Sequence, residues 1–430
     1  MQIISSKYLK FLILLAILII SFWRSPFIFL NGRFVGEEAT QHFLFALDNS
    51  FFANLFYYDS FAGYFNLVPN LLIEFATKIP LELAPFVTVY GSFIIIILLP
   101  YMCLFRDSEL LDNDYKKIIA SFILFLSPPF VAEIWVNSLN LQIYFCLISI
   151  LIIFMKNLKK SEKIINHALI FTGSLSGIYT CTLIPLYLLK FLFNRSKYNL
   201  TNLLILLTAN ILQLFLIVKS KTSNALHGSV LTNDFNFDIL INFAYNVFAK
   251  TIFARQLTHS IWDKLYFFHE NYLLFFLVII IILITLTLYF RKKIYDFIKK
   301  DSVLIYLISI FFIISSVIIV GSLENQVGGR YAVISSSIII LILLHVSFKV
   351  QKKFLKMFFF TLLGLSIFTG MYEFRPPTKN VKHQYIKYLD CIDCPIWKNE
   401  VKKWRKDNSY VIGIWPYPQK NLTLESRIVN

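Results

Sequence analysis

Two adjacent acidic residues, Glu37 and Glu38, are the side chains in this sequence best suited to proton transfer. They lie in residues 31–43 (NGRFVGEEATQHF), where Gly36 ends an irregular stretch and a helix is predicted to begin. A partly desolvated carboxylate has a raised pKa and can take a proton from an alcohol or an amine. The competing interpretation is structural, because acids in the first turn of a helix interact favourably with its dipole.

The same helix offers a metal-binding pair. Glu38 and His42 are four residues apart and would share one helix face. A divalent cation such as Mg²⁺ or Mn²⁺ could lie between them, but two ligands do not make a metal site. The sequence therefore does not decide whether a metal binds at this pair.

A second chemical feature is the turn in residues 324–331 (ENQVGGRY). Gly329 permits a tight turn, and the next helix is predicted to begin near Arg330 and Tyr331. Free N–H groups, the helix dipole and an arginine together form an anion site, and a phosphate is its natural occupant. The alternative is that Arg330 only extends toward lipid headgroups.

Three other residues are weaker candidates for an additional site. Glu133 and Asn137 lie in a Pro-containing turn, and Arg255 lies in a polar middle segment, residues 219–270. Arg255 could contact a phosphate or an anionic lipid. For all three, an exposed position without a chemical role is at least as good an interpretation.

The elements that must position these residues are membrane-spanning helices. Hydrophobic residues make up 57% of the 430 residues and charged residues only 15%, against about 25% charged residues in soluble domains. The apolar residues form long blocks, and a helical span needs about 20 of them. The sequence thus predicts an all-α polytopic membrane protein with about 11 transmembrane helices.

Two of these spans are short. Gly173, Gly177 and Pro185 interrupt residues 164–194, which we predict to form a pair of helices that cross twice. The predicted spans lie near residues 9–23, 84–105, 118–132, 141–155, 164–178, 180–194, 199–218, 272–290, 302–322, 331–346 and 355–371.

The basic residues predict the orientation. Of the 41 lysine and arginine residues, 21 lie in the short connections that alternate with the long ones. Positively charged short loops are typical of the cytoplasmic side, which places the N-terminus in the cytoplasm and the C-terminus outside. The net charge of +16 is then a property of topology and does not indicate nucleic-acid binding. The first span, with no A-x-A-like site after it, is expected to be an uncleaved anchor.

The long segments therefore lie outside. They are a first exterior segment, residues 24–83, with predicted amphipathic helices, the middle segment 219–270, and a tail. We predict a transmembrane domain over residues 1–371 and a small α/β tail module over residues 372–430. Cys391 and Cys394 in this tail are expected to form a local disulfide, because it lies in an oxidising compartment.

The predicted spans contain few polar groups at depth, and we count only His167, Asn210 and Gln213. Ion-coupled transporters normally bury ionisable groups near the midplane. This pattern argues against ion-coupled transport and favours chemistry on the exterior segments.

The acidic pair after a first span, the amphipathic segment that follows and the Arg-Tyr turn before a late span together resemble the GT-C superfamily of membrane glycosyltransferases. That family includes protein O-mannosyltransferases and aminoarabinose transferases. The resemblance implies that Glu37 or Glu38 is catalytic, where many members carry Asp, and that Arg330, Tyr331 and Gly329 bind the donor phosphate.

The resemblance also implies substrates and location. The donor would be a polyprenyl-phosphate sugar, the acceptor a glycan, lipid or protein outside the cell, and transfer would invert the sugar. The protein would be a multi-pass protein of the cell membrane, as in a bacterial inner membrane. Two alternatives remain: a flippase or exporter of lipid-linked sugars, and an O-antigen-type polymerase or ligase that uses exterior arginines.

Overall fold

The protein is predominantly helical, with one small two-stranded sheet. The computed structural model describes residues 6–58, 63–126, 132–222, 239, 242–253, 258, 301–321, 329–374, 395–415 and 420–424. They fall into two compact units. The first comprises the described residues within Met1–Phe125, Val131–Asp234 and Phe374–Asn430, and the second those within Leu126–Phe130 and Phe235–Glu373.

Five helical segments are long and apolar enough to cross a membrane: Leu81–Phe105, Lys197–Ser220, Ser302–Ile319, Gly329–Lys349 and Lys353–Phe374. Their length and apolar composition indicate that this is a membrane protein. Four other predicted spans correspond to shorter helices of 10 to 15 residues. The predicted span at residues 272–290 lies outside the described residues.

The helices of the first unit follow the predicted order. They are α1 Ser6–Arg24, α2 Pro26–Asn31, α3 Leu44–Asp48, α4 Phe51–Leu55, α5 Leu67–Thr77, α6 Ala84–Phe105, α7 Asp114–Leu126, α8 Leu141–Ile153, α9 Lys160–Ser174, α10 Ile184–Phe193, α11 Lys197–Thr222 and, in the tail, α15 Trp397–Lys406. A π-helix, Glu38–Phe43, precedes α3.

Two ion pairs join the connection after α6 to the ends of α9 and α10, at one end of the first unit. Arg106, which follows α6, pairs with Glu162 in the first turn of α9. Glu109 pairs with Lys190 near the end of α10 at 3.4 Å. Because the start of α9 and the end of α10 both reach the same connection, these two helices form a hairpin, as the glycines and the charges predict.

The opposite end of α9 packs against the start of α5, where the Leu67 N–H donates to the Leu175 C=O at 2.8 Å. Gln213 of α11 accepts a hydrogen bond from the Phe65 N–H at 2.8 Å and donates to the Phe65 C=O at 3.1 Å. In the turn after α9, Gly177 has φ +125°, and a Cβ there would lie 2.2 Å from Gln142 Oε1. The chain can reverse here because this residue has no side chain.

The described part of the tail shares a hydrophobic core with the segment that joins α1 to α6. Trp397 of α15 donates through Nε1 to the Leu81 C=O at 2.6 Å, and its ring lies 5.1 Å from that of Phe34. The tail strands β1 Ile412–Ile414 and β2 Lys420–Leu422 pair antiparallel, and Val35 forms a parallel bridge with Trp415. The small α/β element exists as predicted, but its described residues belong to the first compact unit. Burying three tryptophans requires an apolar partner, which the segment between α1 and α6 supplies.

The second unit contains α12 Ser302–Gly321, α13 Ala332–Lys349 and α14 Lys353–Phe374, with a π-helix at Ala244–Ala249. Small hydroxyl residues mediate its packing. Ser315 and Ser335 are 3.1 Å apart through their hydroxyls, and Ser366 donates to the Thr251 C=O at 2.6 Å. Serine permits close helix approach in apolar surroundings.

One buried polar residue of the predicted spans was not singled out from the sequence. His345, near the end of the predicted span 331–346, was not counted among the polar groups at depth. It is 1% exposed, and its Nε2 lies 2.7 Å from an Asp301 carboxylate oxygen. Hydropathy does not reveal this residue, because one histidine changes the mean hydropathy of a helix rich in isoleucine and leucine very little.

Candidate functional site

The two acids stand at the beginning of a π-helix. The Leu44 N–H bonds to the Ala39 C=O, five residues earlier, where an α-helix would use the fourth. Such wide turns are rare and frequently occur at functional sites. The predicted helix start is confirmed, but its geometry differs from the regular α-helix that the spacing implied.

Glu38 is a buried carboxylate with both oxygens occupied. Its side chain is 1% exposed. Oε2 accepts from the Val35 N–H at 3.0 Å, and Oε1 accepts from the Ser138 N–H at 2.8 Å and from the Ser138 hydroxyl. Burial raises the pKa of Glu38 above its ordinary value, and these hydrogen bonds and the charge of Arg33 offset the rise in part.

Glu37, by contrast, faces outward. Its side chain is 48% exposed, and its Oε1 lies 3.3 Å from Nζ of Lys420 in the tail. Two neighbouring acids thus have different environments, with one held inside the protein and the other presented at the surface. The sequence could not separate them, since they differ in no local feature.

The turn that holds Glu38 contains two of the weaker candidates. Asn137 is buried, donates through Nδ2 to the Glu133 C=O at 3.0 Å and accepts from the Leu139 N–H at 3.1 Å. Val136 has φ +44°, which is unusual for a β-branched residue and marks strain. Asn137 thereby shapes the strained turn that brings Ser138 to Glu38, and Glu133 contributes its backbone carbonyl.

Two buried arginines beside this turn were not predicted as site residues. Arg33 donates to the Trp135 C=O at 2.8 Å, and its guanidinium lies 5.1 Å from the centre of the Trp415 ring. Arg24 lies 4.0 Å from the centre of the Phe374 ring and donates to the Phe374 carbonyl. Their sequence signal is weak, because an arginine next to a span normally indicates only its boundary.

His42 and Glu38 have different hydrogen-bond partners. Its Nδ1 lies 3.1 Å from Asn70 Oδ1, and its ring packs against Tyr57. Glu38 bonds instead to Ser138, so each member of the predicted pair has its own hydrogen-bond partner in this structure. Within the described ranges no group of three or more His, Cys, Asp and Glu side chains could hold a metal ion. A divalent cation stays a prediction.

The predicted anion site lies in the second unit. A 3₁₀ turn, Gly329–Tyr331, leads directly into α13, and Gly329 has φ +59°, a backbone conformation that glycine adopts without strain. Arg330 Nη2 lies 3.3 Å from the Tyr331 hydroxyl, and its guanidinium lies 5.2 Å from the centre of the Tyr331 ring. The structure therefore places an arginine at the helix start, as predicted.

Three of the predicted site residues lie outside the described residues, namely Arg255, Cys391 and Cys394. Their roles stay predictions. The three cysteines in the described chain, Cys103, Cys146 and Cys181, are buried and free.

No protein-family model matches this sequence, and a search of curated proteins finds no significant match. The candidate sites therefore stand on the contacts of this chain's own residues.

Proposed function

We propose that this protein is a membrane glycosyltransferase of the GT-C type, with about 11 spans, a cytoplasmic N-terminus and an extracytoplasmic C-terminus. It transfers a sugar from a polyprenyl-phosphate donor to an acceptor outside the cell membrane, with inversion. The observation that carries this proposal is the contrast between Glu37, half exposed, and Glu38, buried and fully hydrogen-bonded.

The two acids receive different roles. A general base must come within about 2.6–3.2 Å of the proton it accepts, and only Glu37 is exposed enough for an acceptor to reach. Glu38 is the positioning residue, because its bonds to the N–H groups of Val35 and Ser138 hold in place the backbone that carries Glu37. An ion pair between Nζ of Lys420 and Oε1 of Glu37, at 3.3 Å, links this side chain to the tail.

The reaction then balances as follows. The acceptor hydroxyl passes its proton to Glu37 while its oxygen forms a bond to the anomeric carbon. The bond from that carbon to the phosphate oxygen breaks on the opposite face, and polyprenyl phosphate leaves with the electron pair. The anion site predicted at Arg330 is a separate proposal, in which its guanidinium and the N–H groups at the start of α13 would bind a phosphate. Attack opposite the leaving group inverts the sugar.

The test compares Glu37→Gln, Glu38→Gln and a matched control. Glu109→Gln is the control, because Glu109 is a 43% exposed acid in a surface ion pair with Lys190 at 3.4 Å, much like Glu37 with Lys420. Mass spectrometry of lipid that co-purifies with the protein identifies the donor, and reconstituted protein is assayed for release of polyprenyl phosphate.

We expect Glu37→Gln to lower transfer by roughly 10²-fold or more and Glu109→Gln to leave it unchanged. Full transfer by Glu37→Gln would refute the base assignment. A flippase or exporter would move the lipid-linked sugar without breaking its glycosidic bond, so an intact donor in the wild-type protein would refute the transferase itself.

A further inference from the structure

The tail helix α15 carries a stripe of exposed lysines. Lys398, Lys402 and Lys406 recur every four residues and are exposed, whereas Trp397, Glu400, Val401 and Trp404 on the other face are buried. Residues four apart lie on one face of a helix. The helix therefore turns an apolar face inward and a cationic stripe outward.

Other cations of the helix already have acidic partners. Lys403 pairs with Glu400 at 2.7 Å, and Arg405 pairs with Glu82 at 2.7 Å. Among the residues that the structure describes, Glu82 near Lys398 is the acid that faces the outer stripe. Such a stripe complements an anionic surface.

The position of α15 decides which anionic surface that is. Trp397 donates to the C=O of Leu81, and Arg405 pairs with Glu82. Leu81 and Glu82 are the first two residues of a helix long and apolar enough to span a membrane, Leu81–Phe105. Both ends of α15 are thus tied to the point where that span begins, which is the level of lipid headgroups.

We propose that the Lys398, Lys402 and Lys406 stripe binds anionic phospholipid headgroups beside the start of α6. Each lysine near an anionic membrane surface strengthens attachment on the order of fivefold. The bound lipid would hold the tail, with its Trp415 bridge to Val35 and its Lys420 contact to Glu37, against the first exterior segment. This surface does not depend on the transferase proposal.

Hydrogen–deuterium exchange of the full chain in lipid nanodiscs tests the proposal. Protection of α15 is compared in phosphatidylcholine alone and in phosphatidylcholine mixed with phosphatidylglycerol. We expect the anionic lipid to slow exchange in α15 and high salt to remove the effect. Equal exchange in the two lipids would overturn the proposal.

Variants separate lipid binding from folding. Replacing Lys398, Lys402 and Lys406 together with Gln should abolish the phosphatidylglycerol effect, and replacing all three with Arg should retain it. Gln at Lys352, Lys353 and Lys356, three exposed lysines at the start of α14 or just before it, removes the same charge elsewhere and should leave α15 protection unchanged. If phosphatidylglycerol still slows exchange in α15 of the triple Gln variant, the proposal that these lysines bind the lipid is refuted.

A soluble ligand is the remaining alternative. Inorganic phosphate added to phosphatidylcholine nanodiscs should not protect α15 if the surface recognises a membrane. Protection by phosphate alone would show a site for a free phosphorylated ligand and would overturn the lipid assignment.

Discussion

Glu38 and Ser138, 100 residues apart in the chain, are joined by two hydrogen bonds from the serine N–H and hydroxyl to one carboxylate oxygen. The pair links the segment between α1 and α6 to the strained turn before α8. Both residues are buried, so neither can exchange its partner for water without a movement of the turn. The surface position of Glu37 depends on this link.

Replacing Ser138 with Ala should destabilise the protein by about 1.5–3 kcal/mol, because a buried charged group loses one hydrogen bond. Chemical unfolding in detergent, followed by intrinsic fluorescence, measures the change. Ser121→Ala is the control, since this equally buried hydroxyl bonds only to the Ile118 C=O of its own helix and its loss should matter less. Equal losses of unfolding free energy in the two variants would show that the hydrogen bond to Glu38 contributes no more stability than a bond within one helix.

The stability contributed by Glu38 should depend on pH with a defined sign. Burial raises its pKa above the ordinary 4.5, so the folded state binds this proton more tightly than the unfolded state does. The contribution is favourable below the ordinary pKa and is lost as the pH rises through the raised pKa. The melting temperature of the wild-type protein, relative to Glu38→Gln, should therefore fall as the pH increases from acid to neutral. A pH-independent difference would contradict the raised pKa.

Gly177→Ala should cost at least about 1–3 kcal/mol, because φ +125° is strained for any side chain and Gln142 Oε1 occupies the space of its Cβ. Thermal unfolding of the purified variant checks this. Gly364→Ala is the matched control, as nothing lies within 4 Å of a Cβ there, and we expect no loss of stability. A tolerated Gly177→Ala would argue against the tight turn between α9 and α10.

The hairpin of α9 and α10 and the orientation can be tested together by cysteine labelling. Ser50, Ser161 and Arg195 are exposed and can each be replaced with Cys in a background carrying Ser at positions 391 and 394. In intact cells, an impermeant maleimide should label only Ser50→Cys, and the other two should react only after permeabilisation. Labelling of Ser161→Cys and Arg195→Cys from opposite sides would contradict the hairpin.

Hydropathy and charge in the sequence determined the helical class, the apolar helices, the short pair at residues 164–194 and the small α/β element of the tail. These properties are local, since a helix satisfies its own backbone and its apolar composition can be read in one window. The chemical candidates Glu37, Glu38 and Arg330 were also found by local pattern.

What only the tertiary structure decided is which of these polar groups are buried and what they bind. Glu37 and Glu38 are chemically equal neighbours in sequence, and their roles diverge because Ser138 and Lys420, from distant parts of the chain, contact one each. Contacts between distant parts of the chain also explain two other features. They bury Arg24, Arg33 and His345, and they pack the tail on the segment between α1 and α6. The stability of a buried polar group depends on partners that folding brings together, and no local pattern records them.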